Sequence, residues 1–130
     1  MKVFSLDVKG WDKSLHANLF NLVKEFNKAL LKKGGGEQFI ELMNNCYRDM
    51  IECKVLLPNV NRKIKIPNGM KSGWCLTACD NTAIHKFIID AFMKHYGYSQ
   101  ENVGYLLYGD DNLIFMNSNI DERMLFSRIN

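Results

Sequence analysis

Apolar positions change their spacing several times along the chain, and each change marks an element. Phe4, Leu6 and Val8 alternate with polar residues in MKVFSLDV, a period of two that predicts a strand ending in an acid. From Leu15 the period lengthens, and Leu19, Leu22, Val23, Phe26 and Leu30 follow at three- and four-residue steps. That spacing predicts a helix with one apolar stripe, capped by Asp12 or Ser14 and ended by Gly34, Gly35 and Gly36. A second helix is predicted over 37–53, with Phe39, Met43, Cys46 and Met50 on one face and Ile40, Tyr47 and Ile51 widening it. VLLPNVNRKIKI reads as two short strands around a Pro-Asn turn, and the longest helix runs from Trp74 to about Tyr96. GYLLY and NLIFM then form a hairpin closed at GDD, and a last helix is expected to begin at NIDERMLFSRI. The order of elements predicts an α+β fold, one layer of antiparallel strands packed against helices.

With 130 residues, 47% of them hydrophobic, the chain supports one compact domain and has no room for a second independent core. A formal net charge of +3 permits contact with a polyanion without demanding it. Cys46, Cys53, Cys75 and Cys79 follow no secretory leader, and no stretch approaches a membrane span, so the thiols are expected to be reduced and the compartment cytosolic. No repeat or low-complexity tract is present.

The chemistry lies in the acids. Asp110 and Asp111 sit at the hairpin tip in YGDD, where a Gly-Asp pair also suits a plain type I′ turn with positive φ at both central positions. A second acidic site changes the picture, because DVKGWD puts Asp7 at the end of the first strand and Asp12 five residues on. If that strand lies beside the hairpin, Asp7 and Asp110 face one another, and carboxylates brought together call for a shared proton or a divalent cation. Hard oxygen ligands select Mg²⁺ or Mn²⁺, and two such ions roughly 4 Å apart serve in-line phosphoryl or nucleotidyl transfer.

A third motif bears on the substrate. SGWCLTACDN carries Ser72 and Gly73 in a flexible loop, then Thr77 and Asn81 four apart on one helical face. Small hydroxyl and amide groups can hydrogen-bond a ribose 2′-OH, the group that separates RNA from DNA. Helix capping or core satisfaction is the alternative for Thr77 and Asn81. Arg62, Lys63, Lys65 and Lys71 could contact template phosphates, or simply guard an exposed hairpin edge. Trp11 and Trp74 read as packing anchors beside the two motif loops.

Together DVKGWD, SGWCLTACDN and YGDD resemble motifs A, B and C of the palm of viral RNA-dependent RNA polymerases, in the family's order and across almost the whole chain. The resemblance implies a palm core, a small antiparallel sheet of the motif A strand and motif C hairpin against helices. It further implies that Asp7, Asp110 and Asp111 hold two Mg²⁺ or Mn²⁺ ions, and that Asp12 and Asn81, helped by Ser72 and Thr77, select the ribose. Residues 8–11 would lie near the triphosphate, and 69–73 would form a loop that shifts as the nucleotide is accepted. Implied partners are RNA template, primer or nascent RNA, ribonucleoside triphosphates, and the fingers and thumb of the enzyme. The YGDDN sequence and Trp11 suit the picornavirus-like and partitivirus- or picobirnavirus-like assemblage, at work in host cytoplasm, a replication complex or the virion.

Some family features are missing from 1–130: the basic fingers motif before motif A and the motif D lysine. The chain is therefore expected to be a palm fragment of a larger polymerase, inactive by itself. A reverse transcriptase palm shares DVKG but differs at MKSG, where its family carries a proline-glutamine-glycine loop. A non-catalytic RNA-binding module, reading bases with Tyr105, Tyr108 and Phe115, is the alternative of a different class. Cys75 and Cys79, with His85 and His95 following, raise a zinc site, though helical thiols on an apolar face read better as core residues.

Overall fold

The computed structural model describes residues 1–66, 68–99 and 101–117, and the helix expected from Asn119 onward lies outside them. In chain order these residues form β1 (Lys2–Phe4), the one-turn helix α1 (Trp11–Ser14), α2 (Ala17–Lys33), a 3₁₀ turn (Glu37–Phe39) leading into α3 (Ile40–Ile51), β2 (Lys54–Leu57), β3 (Arg62–Lys65), α4 (Thr77–His95), β4 (Val103–Tyr108) and β5 (Asp111–Met116). The fold is α+β, as the alternation of periods predicts.

Two small antiparallel sheets result. One has the order β1-β5-β4, so the chain's first strand pairs with its last described one; the other is the β2–β3 hairpin. Pleating puts Ile114, Met116 and Val103 on the covered face of the larger sheet and leaves Val3, Leu106, Tyr108 and Leu113 on the open one. The covered face meets Ile89 and Met93 of α4. The other half of α4 contributes Ile84 to a second core with Trp11, Phe20, Val23, Tyr47 and Met50. One helix thus spans both cores. Lys86 and Asp90 of α4 both bond the Tyr105 hydroxyl, which fastens the helix to β4.

Between the helices sits a buried polar knot. Asp80, 1% exposed, accepts from Tyr47 Oη (2.8 and 2.9 Å), Trp74 Nε1 (2.7 Å) and Asn27 Nδ2 (3.2 Å). Asn27 Nδ2 also lies 2.7 Å from Tyr47 Oη. The knot therefore joins α2, α3, α4 and the loop before α4 through one carboxylate. Burial raises the Asp80 pKa, and the hydrogen bonds from Trp74, Tyr47 and Asn27 pull it back only in part. Burial raises the Tyr47 pKa as well, reinforced by its bond to Asp80.

Several sequence expectations need correction. The first strand ends at Phe4 rather than Val8. Neither Asp12 nor Ser14 caps α2: His16 does, its Nδ1 accepting from Asn18 N at 3.2 Å, while Ser14 Oγ donates to Trp11 O. The buried face of α2 is centred on Phe20 and Val23, with Asn27 one turn on, so Leu22, Phe26 and Leu30 of the expected stripe are substantially exposed. On α3 the buried residues are Tyr47 and Met50, whereas Phe39 and Cys46 are exposed. In both cases the polar pair Asn27–Tyr47 draws the helices together and rotates the stripe. Cys75 and Cys79 are exposed too, so neither is a core residue. No described helix is long and apolar enough to cross a membrane.

Tyr47→Phe keeps the ring but removes a donor from a buried carboxylate, and should cost about 1–3 kcal/mol in urea unfolding. The Asp80 pKa is raised in the folded state, so its contribution to stability is full below the ordinary aspartate pKa and lost as pH rises through the raised one. Unfolding measured across that window should show this decline in the native chain and not in Asp80→Asn.

Candidate functional site

Three segments meet at the end of the larger sheet where Asp7 emerges, and main-chain geometry explains how. The β4–β5 turn consists of Gly109 and Asp110, flanked by the paired residues Tyr108 and Asp111. Gly109 has φ +62°, while Asp110 does not take positive φ. Positive φ at the first central position alone is the II′ pattern, so the expected I′ turn is corrected, and Asp110 escapes the cost of a left-handed backbone.

The β1–β5 ladder pairs Phe4 with Ile114, and the same register carried on sets Leu6 opposite Asn112 and Asp7 opposite Asp111. The main-chain ladder stops, but an amide side chain replaces it. Asn112 Oδ1 accepts from Leu6 N (2.8 Å) and Asn112 Nδ2 donates to Leu6 O (2.7 Å). The strand end bearing Asp7 is thereby clasped to the strand bearing Asp111. Register puts Asp111, rather than Asp110, in the row of Asp7. Asp7, Asp110 and Asp111 are all exposed.

The turn is bolted to α4 from below. Gly109 N donates to Thr82 Oγ1 at 2.8 Å, and Gly109 O lies 3.3 Å from His85 Nδ1. Thr82 and His85 are three apart and so share a helix face. One turn earlier, Asn81, 5% exposed, receives Trp11 Nε1 on its Oδ1 at 3.2 Å and turns its Nδ2 to Asp12 Oδ1 at 3.4 Å. Asp12 and Asn81 are therefore brought together, as expected, with the amide orientation set by the indole of Trp11.

The loop before α4 leans on α1. Gly69 N donates to Leu15 O and Met70 N to Asp12 O, both at 2.7 Å. A Cβ at Gly69 would stand 2.8 Å from Asp12 O, and its φ is +86°, so only glycine allows this approach. Ser72 and Gly73 lie beyond the pinned part and are exposed. Among the described residues neither bonds Asp12 or Asn81. Thr77 Oγ1 donates to Trp74 O at 2.6 Å, so its hydroxyl proton serves the first turn of α4. Lys71 Nζ donates to the carbonyls of Ile66 (3.0 Å), Asn68 (2.7 Å) and Gly69 (3.1 Å). With three main-chain acceptors around it, Lys71 braces the loop before α4. Both tryptophans are anchors as expected, Trp11 buried and Trp74 edge-on to the Tyr47 ring at 5.1 Å.

Sequence reasoning missed the supports: Asp80, Thr82, His85 and Asn112. A signal existed in DNTAIH, where polar residues recur at one- and three-residue steps near the start of the helix. Nothing in the sequence, however, said which strand they would meet.

Among the described residues no three His, Cys, Asp or Glu side chains are gathered closely enough to hold a metal ion. The donors present do fit a hard divalent cation. Asp7, Asp110 and Asp111 offer exposed carboxylates without an ion pair or hydrogen bond among the described residues. Mg²⁺ commonly takes one or two carboxylates and fills its octahedron with water and substrate phosphate, so it needs no closed cage.

A family model described as viral RNA-dependent RNA polymerase matches residues 1–129. No curated protein matches the chain.

Asn112→Leu keeps the volume but strips Leu6 of both partners. It should cost about 1–3 kcal/mol of stability, and hydrogen exchange at the Leu6 amide should quicken far more than exchange at Val103. Unchanged protection at Leu6 would show that the clasp does not hold the strand.

Proposed function

The chain belongs to the viral RNA-dependent RNA polymerase family, and on that premise we propose that it forms the catalytic palm segment of a larger enzyme, with fingers and thumb supplied by other parts of that polymerase. RNA-dependent RNA synthesis, with an RNA template and ribonucleoside triphosphates, is the activity of the family. In the proposed reaction the 3′-OH of primer or nascent RNA attacks the α-phosphate of the incoming triphosphate. A bond forms between O3′ and the α-phosphorus as the hydroxyl proton passes to solvent, the bond to the bridging oxygen breaks with its electron pair, and pyrophosphate leaves.

Asp7 and Asp110 are the principal carboxylates for two Mg²⁺ or Mn²⁺ ions, with Asp111 in support. Bound there, the ions would supply charge neutralisation for the triphosphate and activation of the attacking hydroxyl. Asp12 and Asn81 read the ribose, Asp12 through a carboxylate oxygen that can accept from the 2′-OH and Asn81 by orienting that carboxylate. Ser72 and Gly73 lie where the loop is free to meet the nucleotide, and the main chain over 8–11 faces its phosphates. Thr77 contributes by holding the start of α4.

The observation that supports this reading is the clasp of Leu6 by Asn112, because it ties the segment before Asp7 to the strand that follows Asp110, and each of the three acids is exposed. A picornavirus-like or partitivirus- and picobirnavirus-like source, and work in the host cytoplasm, a replication complex or the virion, belong to the same proposal. The chain alone is proposed to be inactive.

Primer extension by the complete polymerase tests these roles. Asp110→Asn should lower turnover by about a hundredfold or more while the fold survives, since it weakens a metal ligand. Retained turnover would remove Asp110 from the site. Asn81→Ala and Asp12→Ala should instead erode discrimination against deoxyribonucleotides, by about tenfold for the loss of one hydrogen bond. Unchanged sugar preference in both variants would leave the ribose to other residues.

A further inference from the structure

One of the buried supports touches both the segment that follows Asp7 and the hairpin that carries Asp110. His85 is 3% exposed and lies one turn after Asn81 on α4. Its ring stands 4.6 Å from that of Trp11, its Nδ1 is 3.3 Å from Gly109 O, and its Nε2 is 3.4 Å from Asn112 Nδ2.

These neighbours fix the proton. A carbonyl oxygen only accepts, so the nitrogen facing Gly109 O must carry hydrogen. The Asn112 amide is oriented independently, because Oδ1 receives Leu6 N–H and Nδ2 donates to Leu6 O. The second hydrogen of Nδ2 then faces Nε2, which must be bare. Both contacts call for the same neutral form of the ring, protonated at Nδ1 alone. The other neutral form would set N–H against NH₂ at Asn112 and a lone pair against the carbonyl at Gly109. Turning the Asn112 amide over to suit it would break both bonds to Leu6.

We infer that His85 is a positioning residue for the acidic site, a neutral Nδ1–H imidazole that holds the turn carrying Asp110 and fixes the amide of Asn112, and through it the strand end carrying Asp7. Through Trp11 the same ring supports the indole that orients Asn81. His85 touches no substrate in this role; it keeps two carboxylates, one in the segment after β1 and one in the β4–β5 turn, at a constant spacing, as an outer partner does for a metal ligand. This inference rests on the roles proposed for Asp7 and Asp110.

Two measurements test it. In the ¹⁵N spectrum of histidine-labelled protein, the His85 signal, identified by its loss in His85→Phe, should show a protonated Nδ1 and a bare Nε2. His85→Phe keeps an aromatic ring against Trp11 while deleting both hydrogen bonds. In the complete polymerase it should raise the Mg²⁺ concentration for half-maximal extension by about tenfold and lower kcat, with KM for the nucleotide little changed. Native Mg²⁺ dependence in His85→Phe, or a proton on Nε2, would overturn the inference. Asp110→Asn in the same assay separates the failures. If it is inactive while His85→Phe behaves as native, only the positioning role falls; if it is active, the acidic site itself falls. Should His85→Phe not fold, the His85 signal is identified as the one that persists in both His16→Asn and His95→Asn, and its protonation state decides.

Discussion

One residue governs the acidic end of this molecule. Gly109 has its N–H on Thr82 and its carbonyl facing His85, so the tip of the hairpin is fixed from both sides of a single residue. A two-residue turn projecting from a sheet edge would otherwise be among the least restrained parts of a domain. Tying it to the longest helix makes the position of Asp110 a property of α4. Gly109 can accept this arrangement because it takes φ +62° without a Cβ to clash.

That dependence moves the question to what holds α4. Its first turns are anchored by Asp80 to α2, α3 and the preceding loop, and its later turns pack on the sheet through Ile89 and Met93. The polar knot and the apolar contacts act differently. Burying Met93 against the sheet is tolerant of small shifts, whereas the bonds converging on Asp80 require definite distances and angles. Among the described residues every buried side-chain nitrogen and oxygen has a partner. A half-satisfied network would cost more than it contributes, and complete satisfaction is what lets a buried carboxylate specify the angle of a helix.

Legibility in the sequence followed the range of each interaction. The helices over 17–33 and 77–95, the hairpin around Gly109 and the acids Asp7, Asp110 and Asp111 were readable, because period, turn chemistry and residue type are local. The resemblance implied a shared role for Asp12 and Asn81, and only the structure shows the two side chains in contact. What failed was orientation. Leu22, Phe26 and Leu30 look like a core stripe, yet Asn27 lies on the buried side because Tyr47 and Asp80 await it from 20 and 53 residues away. β1 stops early for a similar reason: an asparagine 106 residues distant takes over the ladder, and no local pattern encodes that substitution. Nor does the sequence show that Lys71 bonds three main-chain carbonyls of its own loop.

The division between support and function follows from desolvation. Asp7, Asp110 and Asp111 are exposed, and the groups holding their strands, Thr82, His85 and Asn112, are uncharged in the arrangement the hydrogen bonds require. A buried cation in place of His85 would neutralise the acids partly and compete with any ion arriving from solvent, while a buried anion would push their charges apart. Neutral donors and acceptors beneath the rim fix geometry and leave the field at the surface to the carboxylates. In the proposed role, exposed carboxylates on strands already held in place would meet a hydrated cation without the strands having to be ordered first.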